Sequence, residues 1–171
     1  MAEPELIYKI TVLELLNKAE ISLSNSQICD FFQEYDYTNY FIVQKVIYNL
    51  LDTGMIESRS DHNTTIYEVT DKGSETLRVL RDKVTPAIEA DIKGFLKSNG
   101  SEIREENSLT ANYDAVVGGG YSVHLKYEQS GKVIMDLVIN VPQKEQADRM
   151  CNNWKEKYMD LYSSFMDDLL V

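Results

Sequence analysis

The chain has 171 residues, 43% of them hydrophobic and 26% charged, an ordinary globular composition with length for one large domain or two small ones, each able to bury a core. Net charge is −11 and evenly spread: residues 1–84 hold 8 Lys or Arg against 14 Asp or Glu, and the rest hold 9 against 14. This excludes a basic tail of the kind that supplies nonspecific nucleic-acid affinity, although net charge leaves room for a local positive patch.

The start, Met1-Ala2-Glu3-Pro4-Glu5, is acidic and lacks the basic opening of a signal peptide, and no apolar run is as long as a membrane span. A cytoplasmic protein with no membrane partner is expected. Leu6, Ile10, Leu13 and Leu16 recur at helical spacing with Lys9, Glu14 and Lys18 between them, which predicts an amphipathic helix over 5–18. After the extended link Ile21-Ser22-Leu23, Ser24 stands three residues before Gln27, the spacing of a capping box. Ile28, Phe31 and Phe32 give that second helix its buried face, and it ends near Tyr35-Asp36. Cys29 and, later, Cys151 fall within apolar patterns and read as small buried hydrophobes rather than a disulfide or a metal pair.

Tyr37-Thr38-Asn39 forms a turn with Thr38 as the expected N-cap of a third helix over 39–53. Val43, Val46, Ile47 and Leu50 share one stripe of it, and Asn39, Tyr40, Gln44, Lys45 and Tyr48 the other. Gly54 stops it. The period then changes from helical to two-residue. Residues 55–59 and 65–69 read as paired strands around the turn Asp61-His62-Asn63-Thr64, and Thr70-Asp71-Lys72-Gly73 begins a fourth helix with Leu77, Leu80, Val84 and Ile88 apolar. Three helices followed by a hairpin is the layout of a winged helix-turn-helix over residues 1–84.

Two motifs carry a family resemblance. Leu50-Leu51-Asp52-Thr53-Gly54-Met55-Ile56-Glu57 resembles the join between recognition helix and wing in PadR- and MarR-like transcriptional regulators. Tyr67-Glu68-Val69-Thr70-Asp71-Lys72-Gly73 resembles their second wing strand and the helix start after it, and the two lie at matching separation. The whole chain, with Asp36-Tyr37-Thr38-Asn39-Tyr40-Phe41, resembles an uncharacterised bacterial winged-helix family, a domain of unknown function.

In residues 85–171, Pro86 opens a helix carrying Ile88, Ile92, Phe95 and Leu96, with Ser98-Asn99-Gly100 as its expected stop and 102–107 as a loop. Alternating apolar positions over 109–117, 121–127 and 133–141, joined at Gly118-Gly119-Gly120 and Ser130-Gly131, predict a three-stranded antiparallel meander with one buried face. From Pro142 a long helix carries Ala147, Cys151, Trp154, Tyr158, Leu161 and Phe165 at steps of four and three. The expected fold class is therefore α+β: a winged helix-turn-helix followed by a two-layer α/β domain with a long C-terminal helix.

The resemblance implies a partner, double-stranded DNA, and transcriptional regulation. Asn and Gln pair with adenine, and Tyr and Lys reach phosphates. The expected contacts are Thr38, Asn39, Tyr40, Gln44, Lys45 and Tyr48 on the third helix, Asn25 and Ser26 at the start of the second, and Arg59 and His62 on the wing. A homodimer is expected through Trp154, Tyr158, Leu161 and Phe165, because the apolar face of the last helix is wider than a small sheet covers. The second half has a dimerisation or sensing role, with no residue set that identifies an effector. His124 and the three glycines lack the partners that catalysis, metal binding or a phosphate cradle needs, so neither an enzyme nor a cofactor is expected. The competing reading is an acidic winged helix that docks a protein and never meets DNA.

Overall fold

The computed structural model describes residues 3–60 and 64–171. Among them the chain runs α1 (Glu3–Ala19), β1 (Leu23–Ser24), α2 (Asn25–Glu34), α3 (Tyr40–Asp52), β2 (Ile56–Ser60), β3 (Thr65–Val69), α4 (Asp71–Val79), a 3-10 turn (Arg81–Lys83), α5 (Pro86–Asn107), β4 (Leu109–Ala115), β5 (Tyr121–Gln129), β6 (Lys132–Val141) and α6 (Lys144–Leu169). It is a mixed α+β chain with two three-stranded antiparallel sheets and a long C-terminal helix. Contacts divide it into two compact units between Arg104 and Glu105. A division after residue 84 was expected from the sequence. It lies later because Ile88, Ile92, Phe95 and Ile103 of α5 belong to the first unit's core.

In the first unit α1 is the central element. Ile10, Leu13 and Leu16 are buried as their spacing predicts, but Lys9, Thr11 and Glu14 are buried too. The expected amphipathic helix is thus enclosed nearly all round, because α3, α4 and β3 all pack on it. Its charges survive burial by pairing. Lys9 Nζ lies 3.4 Å from Glu5, and Glu14, fully buried, meets Arg81 at 2.9 Å and Lys18 at 3.9 Å.

The capping box at α2 forms as read: Ser24 Oγ accepts from the Gln27 backbone N–H at 3.2 Å, and Gln27 Oε1 accepts from that of Ser24 at 2.9 Å. The cap of α3 differs. Asn39, not Thr38, takes the position, its Oδ1 accepting from Ile42 N–H at 3.1 Å, because the helix begins one residue later than the turn suggested. Val43, Val46, Ile47 and Leu50 go inward as expected. The sheet order is β1-β3-β2, with Leu23 opposite Tyr67 and Ile56 opposite Val69.

At the start of α4, Thr70 Oγ1 donates to the Gly54 carbonyl at 2.7 Å and accepts from Gly73 N–H at 3.2 Å. This draws the first turn of α4 onto the end of the hairpin. A Cβ on Gly73 would stand 2.0 Å from the Met55 carbonyl oxygen and 2.8 Å from Val69 Cγ2. The glycine of the second motif is required by that approach. Helix α5 does not stop at Ser98-Asn99-Gly100 but continues to Asn107. Ile103 prolongs the buried stripe of Ile88, Ile92 and Phe95, and this packing outweighs the roughly 1 kcal/mol that a mid-helix glycine costs.

The second unit is the predicted meander, ordered β4-β5-β6, with α6 laid on one face. Ala147, Cys151, Trp154 and Tyr158 pack on Ala111, Val123, Leu125, Tyr127 and Met135. The triple glycine turns the chain between β4 and β5 with φ of 98°, 114° and 83°, values at which any other side chain is strained. On β6 the alternation is only half realised. Val133 remains 53% exposed because a bulge between Tyr127 and Glu128 pairs it with Glu128 on the outer face, and Ile139 remains 39% exposed because α6 packs chiefly over β4 and β5. Cys29 and Cys151 are both free and buried.

Candidate nucleic-acid interface

The outward side of α3 carries Tyr40, Phe41, Lys45 and Tyr48. Phe41, Lys45 and Tyr48 step by four and three and so form one stripe. Phe41 is 80% exposed and Tyr48 72%, while Tyr40 sits edge-on to Phe41 with ring centres 5.8 Å apart. Phe41 is absent from the contacts expected from sequence. Its place on the stripe of Lys45 and Tyr48 was the signal that identifies it.

Gln44 turns the other way. Its Nε2 donates to Asn25 Oδ1 at 2.8 Å, and Asn25 Nδ2 donates to Gln44 Oε1 at 2.9 Å. Gln44 Nε2 also reaches Cys29 Sγ at 3.3 Å, and Asn25 Nδ2 reaches the Tyr67 hydroxyl at 3.4 Å. Two of the residues expected from sequence to contact DNA thus have their side-chain amides engaged in fastening α2 to α3. Burial pushes the Cys29 thiol pKa up, against the pull of the Gln44 bond, so the thiol stays neutral.

The cations of the face have partners. Lys45 Nζ lies 3.5 Å from Glu5 Oε2. Partial desolvation pushes the Glu5 carboxyl up, but Lys45 and Lys9 together pull it further down, and it ends below its ordinary value. Arg59 on β2 lies 4.0 Å from Glu68 on β3, which also accepts from Ser22 Oγ. Asn39 and Ser26 are exposed in the first turns of α3 and α2, and Thr38 is half-buried. His62 lies outside the described residues.

Behind α3, Tyr37 is fixed by a 2.8 Å bond from its hydroxyl to Asp91 on α5 and by stacking on Phe31 at 5.6 Å. Burial, then the Asp91 bond and charge, push its pKa well above the ordinary tyrosine value.

In the second unit, two of the residues expected at a dimer seam are already buried within the unit. Trp154 Nε1 donates to the Lys126 carbonyl at 3.1 Å, and Tyr158 packs on Tyr127 at 4.9 Å while its hydroxyl donates to Glu105 at 3.2 Å. Leu161 and Phe165 remain 39% and 40% exposed. Among the described residues no cluster of His, Cys, Asp and Glu has the makings of a metal site, and no helix is long and apolar enough to cross a membrane.

No curated protein and no solved structure matches the chain. A family model described as a domain of unknown function, DUF4364, matches residues 8–169 and so spans both units. The chain therefore belongs to the DUF4364 family.

Proposed function

We propose that the chain is a cytoplasmic DNA-binding regulator. On this reading the first unit is a winged helix-turn-helix akin to PadR- and MarR-like regulators, with α3 in the major groove and the β2–β3 hairpin on the backbone. The helix order, with β1 closing onto β3 beside the hairpin, supports that reading. The observation that carries it is the exposed stripe of Phe41, Lys45 and Tyr48, on a helix braced from behind by the Asn25–Gln44 pair. The ion pairs of Lys45 and Arg59 are solvent-exposed. Such pairs contribute at most about 1 kcal/mol, so a phosphate displaces the carboxylate at small cost. Two copies of the chain give the pair of half-sites that a pseudo-palindrome needs. The test is fluorescence anisotropy at low salt with fragments upstream of the protein's own operon. Saturable binding weakened by Lys45→Ala and Tyr48→Ala is expected, and folded protein that binds no fragment sinks the proposal.

A second reading has its own support. Phe41 is more exposed and more apolar than a groove contact requires, and both cations of the face already have carboxylate partners. Aromatic residues of this kind anchor protein interfaces. An acidic unit that docks a basic protein through α3 loses binding with Phe41→Ala and keeps it with Lys45→Ala. DNA binding gives the opposite order.

A further inference from the structure

The second unit contains a groove that neither reading of the first unit uses. It has a volume of about 500 Å³ and lies between α6 and the β5–β6 part of the sheet. Its apolar lining includes Leu125, Leu137, Ile139, Trp154, Leu161 and Phe165. Leu125 and Trp154 are buried, whereas Ile139, Leu161 and Phe165 are each about two-fifths exposed, so the groove has a closed floor and an open apolar wall. Its size falls within the range of small-molecule sites, roughly 300–1,000 Å³.

Charge indicates the occupant. Arg149, Asn153 and Lys157 step by four along α6 and line one edge of the groove. A step of four on a helix is about 6 Å, so these three form a continuous row of donors. Among the described residues neither Arg149 nor Lys157 has an ion pair, whereas Lys155 on the same helix meets Glu106 at 3.2 Å. Two uncommitted cations beside an apolar groove favour an anion through their local potential, against the chain's net charge of −11. Asp160 and Ser164 border the groove farther along α6, and Asp160 disfavours a second negative group there.

We propose that this groove binds a small organic monoanion with an extended apolar body, its head held by Arg149 and Lys157 and its body lying over Trp154 toward Leu161 and Phe165. The site is independent of the DNA reading and gives the second unit a ligand to sense.

Trp154 is the chain's one tryptophan, so its emission reports on the groove directly and without DNA. The full chain is titrated, below micelle concentrations, with decanoate, decan-1-ol and decyltrimethylammonium. Decanoate is expected to give a saturable change, with the cation at least about tenfold weaker. R149Q/K157Q, on exposed positions, is expected to weaken decanoate about tenfold, leave decanol unchanged and leave the circular dichroism melt unchanged. The proposal is overturned by the absence of saturation, or by equal affinity for anion and cation. It is also overturned if sedimentation shows a dimer whose dilution alone reproduces the Trp154 change, which assigns the groove to a second copy.

Discussion

Asn25 and Gln44 bind each other through both atoms of their side-chain amides, at 2.9 and 2.8 Å, and so join the first turn of α2 to the middle of α3. Gln44 is therefore a structural residue of α3. Replacing it with Ala leaves the Asn25 amide, half-buried, short of partners, at a cost of about 1–2 kcal/mol. Urea denaturation is expected to show that loss for Gln44→Ala and Asn25→Ala, with a double mutant less destabilised than the sum. Tyr48→Ala, on the open stripe, is expected to stay within about 0.5 kcal/mol of the parent.

Few cations serve the α3 face, and this sets the salt response expected of the proposed DNA binding. If Lys45 and Arg59 each neutralise one phosphate, the plot of log affinity against log salt has a slope of about −2. Arg59→Gln is expected to reduce it to about −1. A slope steeper than about −5 means that cations elsewhere carry the binding.

The glycine at 73 is set by a neighbour, not by its own backbone angle. Gly73→Ala drives a methyl group into the Met55 carbonyl, and the start of α4 has to lift off the hairpin. A loss of about 2–3 kcal/mol is expected, toward the upper end for overpacking because the obstacle is backbone. A thermal melt reads it. Gly131→Ala, with nothing within 4 Å of the added atom, is the control that separates crowding from backbone strain.

Arg81 holds the buried Glu14 carboxylate at 2.9 Å while itself being nearly half exposed. Arg81→Ala leaves a buried charge with only Lys18, 3.9 Å away, as a partner. The cost is expected to be about 2 kcal/mol, below the full range for buried pairs because water reaches one member. Adding Glu14→Gln removes the stranded charge, and the double mutant is expected to be more stable than Arg81→Ala alone.

Alkaline pH acts on Tyr37. Its folded pKa is raised, so the Asp91 bond contributes fully below the unfolded value near 10. Above that pH the unfolded chain ionises first, and the contribution is lost as pH rises toward the folded value. Tyr113 behaves alike: the bond to Asp148, then burial, push it up to about 12. Absorbance titration at 295 nm is expected to show both ionising late. Tyr37→Phe is expected to flatten the fall in stability between pH 10 and 12.

The sequence revealed most of what depends on local chemistry. The Ser24–Gln27 box, the inward stripe of α3 and the alternation on β5 all follow from side chains a few residues apart, and all three are found. It misled where distant packing decides. Ser98-Asn99-Gly100 has the residues of a helix end, but Ile103 has a place in the first core and pulls the helix through. Glu14 looks like a solvent-facing position until Arg81, 67 positions later, is brought to it. The site was affected in the same way. Asn25 and Gln44 are separated by 19 positions, and nothing in the intervening residues announces that they meet. The groove beside α6 was equally hidden, since the exposure of Ile139 depends on which strands the helix crosses.

Because α1 is enclosed by elements that follow it, synthesis imposes a wait. Its apolar residues leave the ribosome before those of α4, which helps to cover them and ends at Val79, 60 positions after Ala19. At 5–20 residues per second that is roughly 3–12 s in which a greasy helix has no home. A nascent chain paused before Val79 is expected to be a chaperone client, and the finished one is not.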